Sequence, residues 1–262
     1  MSSLLRLGTR GSPLALRQTA LVVEQLRLAH PSLDVRVEVI RTTGDRTQGS
    51  DTAGFGERGA FAKEIEQALA LGAIDAAVHS YKDLATLATP GLAVVATPAR
   101  ADPRDVLHCA VPGLRWETLA AGARVGTSSV RRMAQLRHHR PELQYVPIRG
   151  NVGTRIRKAD DGAYDAVVLA AAGMIRLGLD ALITEFLPID LCLPEAGQGA
   201  IAVQARAGDS EVARLLESLD HRATRLAVEV EREVSALLGG GCTTPTGAYA
   251  SLDAGILTVH GM

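Results

Sequence analysis

At 262 residues, with 47% hydrophobic content and a formal net charge of -1, the chain has the make-up of a globular protein with room for more than one hydrophobic core. The balance lacks the overall basic excess of a nucleic-acid binder, and the longest purely apolar run, residues 166–172, is too short to cross a membrane. Three scattered cysteines, Cys109, Cys192 and Cys242, form neither an even disulfide set nor a Cys-x-x-Cys metal pair. The N-terminus lacks a basic start followed by a long apolar core, so a cytoplasmic protein without metal is expected.

Residues Leu4 to Leu7 read as a first strand. It ends at Gly8-Thr9-Arg10-Gly11-Ser12-Pro13, where Ser12 is placed to cap a helix that has Pro13 in its first turn. A guanidinium at such a junction, beside unpaired backbone N–H groups, is an anion site in outline. The helix that follows carries Arg17 and Gln18 on its first turns, and Val35, Val37 and Val39 then alternate with Arg36 and Glu38 as a half-buried strand. Between Thr42 and Gly59 five glycines fall in eighteen residues, which predicts a functional loop or a disordered insertion. A helix over Phe61–Leu71 and a strand over Ile74–Val78 come next. The strand delivers His79-Ser80-Tyr81-Lys82-Asp83 at its carboxyl end, where open α/β sheets bind ligands. Lys82 and Asp83 there are either an acid/base pair or a surface ion pair. Leu92–Ala96 is a further strand, and residues 98–103 read as a crossing between domains.

The second unit, from about Arg104 to Gly199, again alternates strands and helices. From Arg124 to Lys158 it holds nine basic residues against the single acid Glu142. They gather at two more strand-to-helix junctions, Val125-Gly126-Thr127-Ser128-Ser129-Val130-Arg131-Arg132 and Ile148-Arg149-Gly150-Asn151-Val152-Gly153-Thr154-Arg155. A solvated face would spread them along helix exteriors. With no Gly-x-x-x-x-Gly-Lys-Ser/Thr loop, no Gly-x-Gly-x-x-Gly and only 3% aromatic residues, a small polycarboxylate fits these sites better than a nucleotide or RNA. Asp165 to Ala172 reads as a buried strand, and Leu193 to Ala200 as a second crossing, which leads into a strand over Ile201–Ala205. Helices over Asp209–Leu219 and Arg222–Leu238 and short strands over Thr246–Ser251 and Ile256–His260 complete the expected elements.

The second of those helices runs into Gly239-Gly240-Gly241-Cys242-Thr243-Thr244-Pro245. Glycine accepts backbone conformations closed to other residues and Pro245 stops a helix, so Cys242 is expected on a loop, as a nucleophile or as an inert small side chain.

Taken together, Thr9 to Leu16, Ala77 to Asp83, Val125 to Ser129 with Arg131-Arg132, Arg149 to Arg155, Gly197-Gln198-Gly199 and Gly240-Gly241-Cys242 resemble the porphobilinogen deaminase (hydroxymethylbilane synthase) family, in order and over nearly the whole chain. The resemblance implies an α/β fold of two type II periplasmic-binding-protein-like domains joined by two crossings, 1–98 with 200–217 and 99–199. A small α+β third domain, 218–262, is shorter than the family's usual one. It further implies a monomeric transferase that joins four porphobilinogen molecules head to tail into hydroxymethylbilane with loss of ammonia. The primer is a dipyrromethane held by a thioether to Cys242, and neither a metal nor a nucleic-acid partner is used. Asp83 matches the family's catalytic carboxylate, with Lys82 beside it. Arg10, Arg131, Arg132, Arg149, Arg155 and Arg176 match arginines that hold acetate and propionate groups. Ser12, Gln18, Arg58, Phe61, Thr127, Ser128, Ser129, Gly150, Asn151 and Gln198 are expected around the substrate and cofactor. The chain departs from the family at Gly54, where a lysine is common, and at Leu84-Ala85, where Val-Pro is common. A binding module that uses the cleft for a polycarboxylate, or a cofactor-free short form, is the alternative.

Overall fold

The computed structural model describes residues 4–42, 62–239 and 244–262, so the expectations for Arg58, Phe61, Cys242 and the glycine-rich stretch from 43 lie outside the described residues. Strand β1 (Leu4–Arg10) buries Leu5 and Leu7 against Val22, Val23 and Leu26 of helix α1 (Pro13–Ala29). Ser12 caps α1 by accepting from the Ala15 N–H at 3.3 Å. β1 pairs in parallel with β2 (Asp34–Ile40) as far as Arg10 opposite Ile40. It therefore runs beyond the expected end at Leu7, and Arg10 closes the strand instead of lying in the turn after it.

The first sheet has the order β2-β1-β3-β10-β4, with β3 at Ala76–Ser80, β4 at Leu92–Ala96 and β10 at Ile201–Arg206. β3 runs parallel to β1, and β10 is antiparallel to both its neighbours. β3 starts later than the expected Ile74 because Arg6 holds Asp75 at the strand's edge, through the backbone at 2.9 Å and a guanidinium–carboxylate bond at 2.6 Å. His79 and Ser80 thus belong to the strand, opposite Ala202 and Ile201. Helix α2 (Lys63–Ala70), shorter than expected at both ends, packs Ile65 and Leu69 on Ile74, Ala77 and Leu92.

The second sheet has the order β7-β6-β8-β5-β9, from β5 (Asp105–Cys109), β6 (Arg124–Gly126), β7 (Gln144–Val146), β8 (Ala166–Ala170) and β9 (Glu185–Phe186). Helix α3 (Val130–His139) follows β6 and helix α4 (Val152–Asp160) follows β7. β8 stops at Ala170, short of the expected Ala172, since helix α5 (Ala171–Arg176) begins where the Ala171 N–H turns to the Arg104 carbonyl. In each sheet one strand, β10 or β5, enters antiparallel just after the chain has crossed over. This is the type II binding-protein layout expected from the sequence. No helix among the described residues is long and apolar enough to cross a membrane.

The crossings touch each other where the Ala101 N–H donates to the Gly199 carbonyl at 3.2 Å. Gly199 has φ +87, and a Cβ there would lie 2.6 Å from the Ala101 oxygen. Gly199→Ala combines a left-handed backbone with a clash against main chain. It is expected to destabilise by about 2 kcal/mol, read as a fall of several degrees in Tm. An unchanged melting curve would mean that the crossings part without cost.

After β10 come helix α6 (Ser210–Leu216), helix α7 (Arg222–Leu237) and a hairpin of β11 (Ala248–Asp253) and β12 (Ile256–Gly261). Glu231 of α7 is fully buried. Its carboxylate accepts from Arg100 at 2.5 and 3.1 Å, from the Gly197 N–H at 2.8 Å and from the Ala250 N–H at 2.8 Å. One side chain thereby joins both crossings to the helix and the hairpin, which is how a buried carboxylate is tolerated.

Candidate active site

A cavity of about 430 Å³ opens where the carboxyl ends of β1, β3 and β8 meet the N-termini of α1 and α4. Arg10, Ser12 and Gln18 line it from the first sheet's side, together with Lys82. Arg132, Gly150, Asn151, Arg155 and Arg176 line it from the second, and Gln198 comes from a crossing. A smaller cavity of about 60 Å³ adjoins it, with Asp83 and His79 on its wall and Arg10, Ser12, Gln18 and Ser80 shared between the two. Gln18 is held in place by the Ser80 hydroxyl at 3.0 Å.

Cations dominate this wall. The Arg155 guanidinium donates to the Gly150 carbonyl at 2.8 Å and Arg176 to the Gly199 carbonyl at 2.7 Å, and neither forms an ion pair among the described residues. Burial, joined at Arg155 by the nearby Arg132 charge, lowers both guanidinium pKa values to about 10. Burial also lowers the Lys82 pKa, against the opposing pull of Glu195, and Arg132 adds to the lowering. Positive charge taken out of water and not neutralised by an acid among the described residues favours a ligand that brings several carboxylates. The N-terminus of α4 adds to it, since Asn151 caps that helix by accepting from the Thr154 N–H at 2.9 Å.

Lys82 and Asp83 sit in a single turn of 3-10 helix, Tyr81–Asp83. The turn is pinned at both ends, by the Tyr81 N–H to the Ala200 carbonyl at 3.1 Å and the Leu84 N–H to the Tyr81 carbonyl at 3.1 Å. Gly197 lies against it so closely that a Cβ there would come within 3.3 Å of the Lys82 nitrogen. His79 is buried beside it. Burial lowers the imidazole pKa to about 4, with Arg10 adding to the effect, so His79 is neutral at pH 7.

Not every expected residue reaches the cavity. Arg131 is 3% exposed and donates to the Asp105 carboxylate at 2.8 Å and the Leu193 carbonyl at 2.7 Å, away from the cavity wall. Thr127 is fully buried; the Ser128 hydroxyl donates to the Ile148 carbonyl at 2.7 Å; Ser129 caps α3 through the Arg132 N–H at 3.4 Å. These three shape the β6–α3 junction from within. Arg149 is exposed at the rim, where its carbonyl accepts from Lys158 at 3.2 Å.

Asp105 is the residue that sequence reasoning missed. It is fully buried at the start of β5, and its carboxylate accepts from Arg131 at 2.8 Å, from Arg132 at 2.7 and 3.1 Å and from Gln198 at 2.8 Å. Burial alone would raise its pKa. The two guanidiniums overcome that and hold the carboxyl far below the ordinary range. The available signal was a lone acid opening an apolar run, since a buried charge needs a partner and this unit is rich in arginine.

A family model described as porphobilinogen deaminase, dipyromethane cofactor binding domain, matches residues 5–214. The chain belongs to the porphobilinogen deaminase family. Porphobilinogen deaminase of Roseiflexus sp. (strain RS-1) is 51% identical over all 262 residues, which span 86% of that protein. The enzyme of Desulforudis audaxviator (strain MP104C) is 47% identical over 253 residues, 97% of this chain and 82% of its own. Among solved structures, the methionine-binding protein MetQ overlays with a TM-score of 0.51 at 13% identity, covering 91% of this chain and 96% of MetQ. That likeness concerns the fold alone. Members of the porphobilinogen deaminase family are transferases of porphyrin biosynthesis, and the matched domain is the one that binds their dipyrromethane. The cavity suits that group, because its acidic side chains would meet Arg132, Arg155 and Arg176 while a carboxylate, Asp83, stands nearby.

Proposed function

We propose that the chain polymerises four porphobilinogen molecules head to tail, releasing one ammonia for each, and that one water then releases the product from the primer as hydroxymethylbilane. The observation that supports this reading is a cavity walled by cations, of which Arg155 and Arg176 have no carboxylate partner among the described residues, with Asp83 in the adjoining recess. Arg10, Arg132, Arg155 and Arg176 bind and orient the acetate and propionate groups of the pyrroles, and Ser12, Gln18, Gly150 and Asn151 complete the wall. Arg131, with Asp105, fixes Arg132 from behind. Loss of ammonia from the substrate's aminomethyl group needs a proton at the departing nitrogen and a negative charge beside the cation left on the pyrrole. Asp83 supplies that charge and handles the protons in a partly desolvated setting, where electrostatic stabilisation counts most. Lys82 holds carboxylates next to it. When bound, the dipyrromethane supplies the nucleophilic pyrrole carbon to which the first substrate is joined.

In the same proposal Cys242 attaches the dipyrromethane by a thioether, Arg58 and Phe61 contribute from the glycine-rich stretch, and Arg149 acts at the rim. Residues 1–98 with 200–217, 99–199 and 218–262 form the three domains. The enzyme acts as a cytoplasmic monomer without nucleic acid, as the family resemblance implies. The test is intact mass together with turnover. Purified protein is expected to carry the added mass of two pyrrole units and to consume porphobilinogen, whereas Cys242→Ser loses the added mass and the activity. An unmodified wild-type mass with no turnover would leave a polycarboxylate-binding module instead.

A further inference from the structure

Gln198 was expected to bind substrate or cofactor, yet its polar atoms are committed to the protein. It is fully buried. Its Oε1 accepts from the Lys82 ammonium at 3.0 Å, and its Nε2 donates to the Pro103 carbonyl at 2.8 Å and to Asp105 Oδ1 at 2.8 Å. Its own N–H donates to the Glu195 carbonyl at 2.8 Å, and its carbonyl accepts from Arg100 Nε at 2.8 Å. A primary amide has two N–H donors, and both are spent.

The partners decide the residue type. One end must accept from a cation while the other donates to a carboxylate and a carbonyl, which only a neutral amide does. Glutamate would face Asp105 with a second negative charge, and methionine fills the same space without polar atoms. The two ends also lie on different units. Lys82 follows β3 of the first sheet, whereas Asp105 opens β5 of the second and holds Arg131 and Arg132. We infer that Gln198 is a positioning residue: its amide ties the Lys82 ammonium to the Asp105 carboxylate, so that the catalytic turn and the arginine wall are set relative to one another. This rests on the proposed role of the Lys82-Asp83 turn. Without the amide, half-buried Lys82 Nζ loses the Gln198 acceptor beside the Arg132 charge, and it swings toward Glu195 or Asp83 or holds its proton less firmly.

The experiment is a double-mutant cycle on the purified holoenzyme, with Gln198→Met, Lys82→Met and the pair. A bond to a charged group is at stake, so Gln198→Met is expected to lower kcat by roughly 10–100-fold with KM changed less than about threefold. The pair is expected to be no worse than Lys82→Met alone, because both substitutions break one linkage. Multiplying losses, or a Gln198→Met enzyme as fast as wild type, overturn the inference. If the methionine variant does not fold, Gln198→Asn, which keeps the amide but is too short to span both partners, takes its place in the cycle with the same expected pattern. A second readout is the titration of the Lys82 Nζ resonance by nitrogen NMR. It is expected to move to lower pH in Gln198→Met, and an unmoved titration counts against the linkage. That shift appearing in a wild-type background that consumes no porphobilinogen would uphold the linkage and reject the enzymatic reading.

Discussion

Asp105→Asn is expected to cost about 3–5 kcal/mol of unfolding free energy at pH 7. Asparagine nearly matches the side chain in shape. It leaves Arg131 and Arg132, 3% and 6% exposed, as two buried guanidiniums facing a dipole where a charge had been. The pH dependence follows from the same linkage. The folded Asp105 carboxyl lies far below its unfolded value of about 3.9, so the unfolded chain takes up the proton first as acid is added. Its contribution is therefore complete above about pH 5 and drains away as the pH falls through 4 and below. Urea unfolding of wild type and variant from pH 3 to pH 7 measures both effects. The gap between them is expected to be widest at pH 7 and to narrow in acid. A variant within about 0.5 kcal/mol of wild type across that range would show that Arg131 and Arg132 find other partners. KM for porphobilinogen is expected to rise as well, since Arg132 reaches the cavity from the Asp105 carboxylate.

That residue also marks the limit of what local pattern reveals. Strand-to-helix junctions were legible because their signals are contiguous: Ser12 before Pro13, Ser129 before Val130 and Asn151 before Val152 each cap the helix they announce. The same junctions delivered Arg10, Arg132 and Arg155 to the cavity. The strand Leu92–Ala96 emerged as read, and so did the re-entry of the chain into the first sheet near Ile201. Misread boundaries were those set by a partner distant in sequence, such as β1 extended by β2 to Arg10 and β3 delayed by Arg6 at Asp75. Side-chain direction was the other blind spot. Arg131 and Arg132 are adjacent in one helical turn and both pair with Asp105, yet only Arg132 lines the cavity, because Arg131 also turns to Leu193 and Cys192 while Arg132 turns to the Val168 carbonyl. Gln198 shows the same lesson, since no motif tells whether an amide meets a ligand or a lysine from another sheet.

Asp83→Ala is expected to lower kcat by roughly 10²–10⁴-fold with stability changed by no more than about 1 kcal/mol. The two numbers separate because the turn that carries Asp83 is held by groups other than its carboxylate: the Tyr81 and Leu84 N–H bonds, the close approach of Gly197 and the Lys82–Gln198 contact all persist in the variant. What is removed is the negative charge in a recess otherwise faced by Arg10, a neutral His79 and hydroxyl and amide groups. None of those can replace it. Neutral His79 does not balance a developing cation, and Arg10 repels it. Asp83→Glu keeps the charge but adds a methylene in a recess of about 60 Å³, so it is expected to fall between wild type and alanine. Steady-state kinetics on protein whose intact mass shows the two pyrrole units would isolate the reaction step from cofactor loading. An alanine variant that carries that mass and turns over at the wild-type rate would strip Asp83 of its role and move the search for the proton-handling group elsewhere in the cavity.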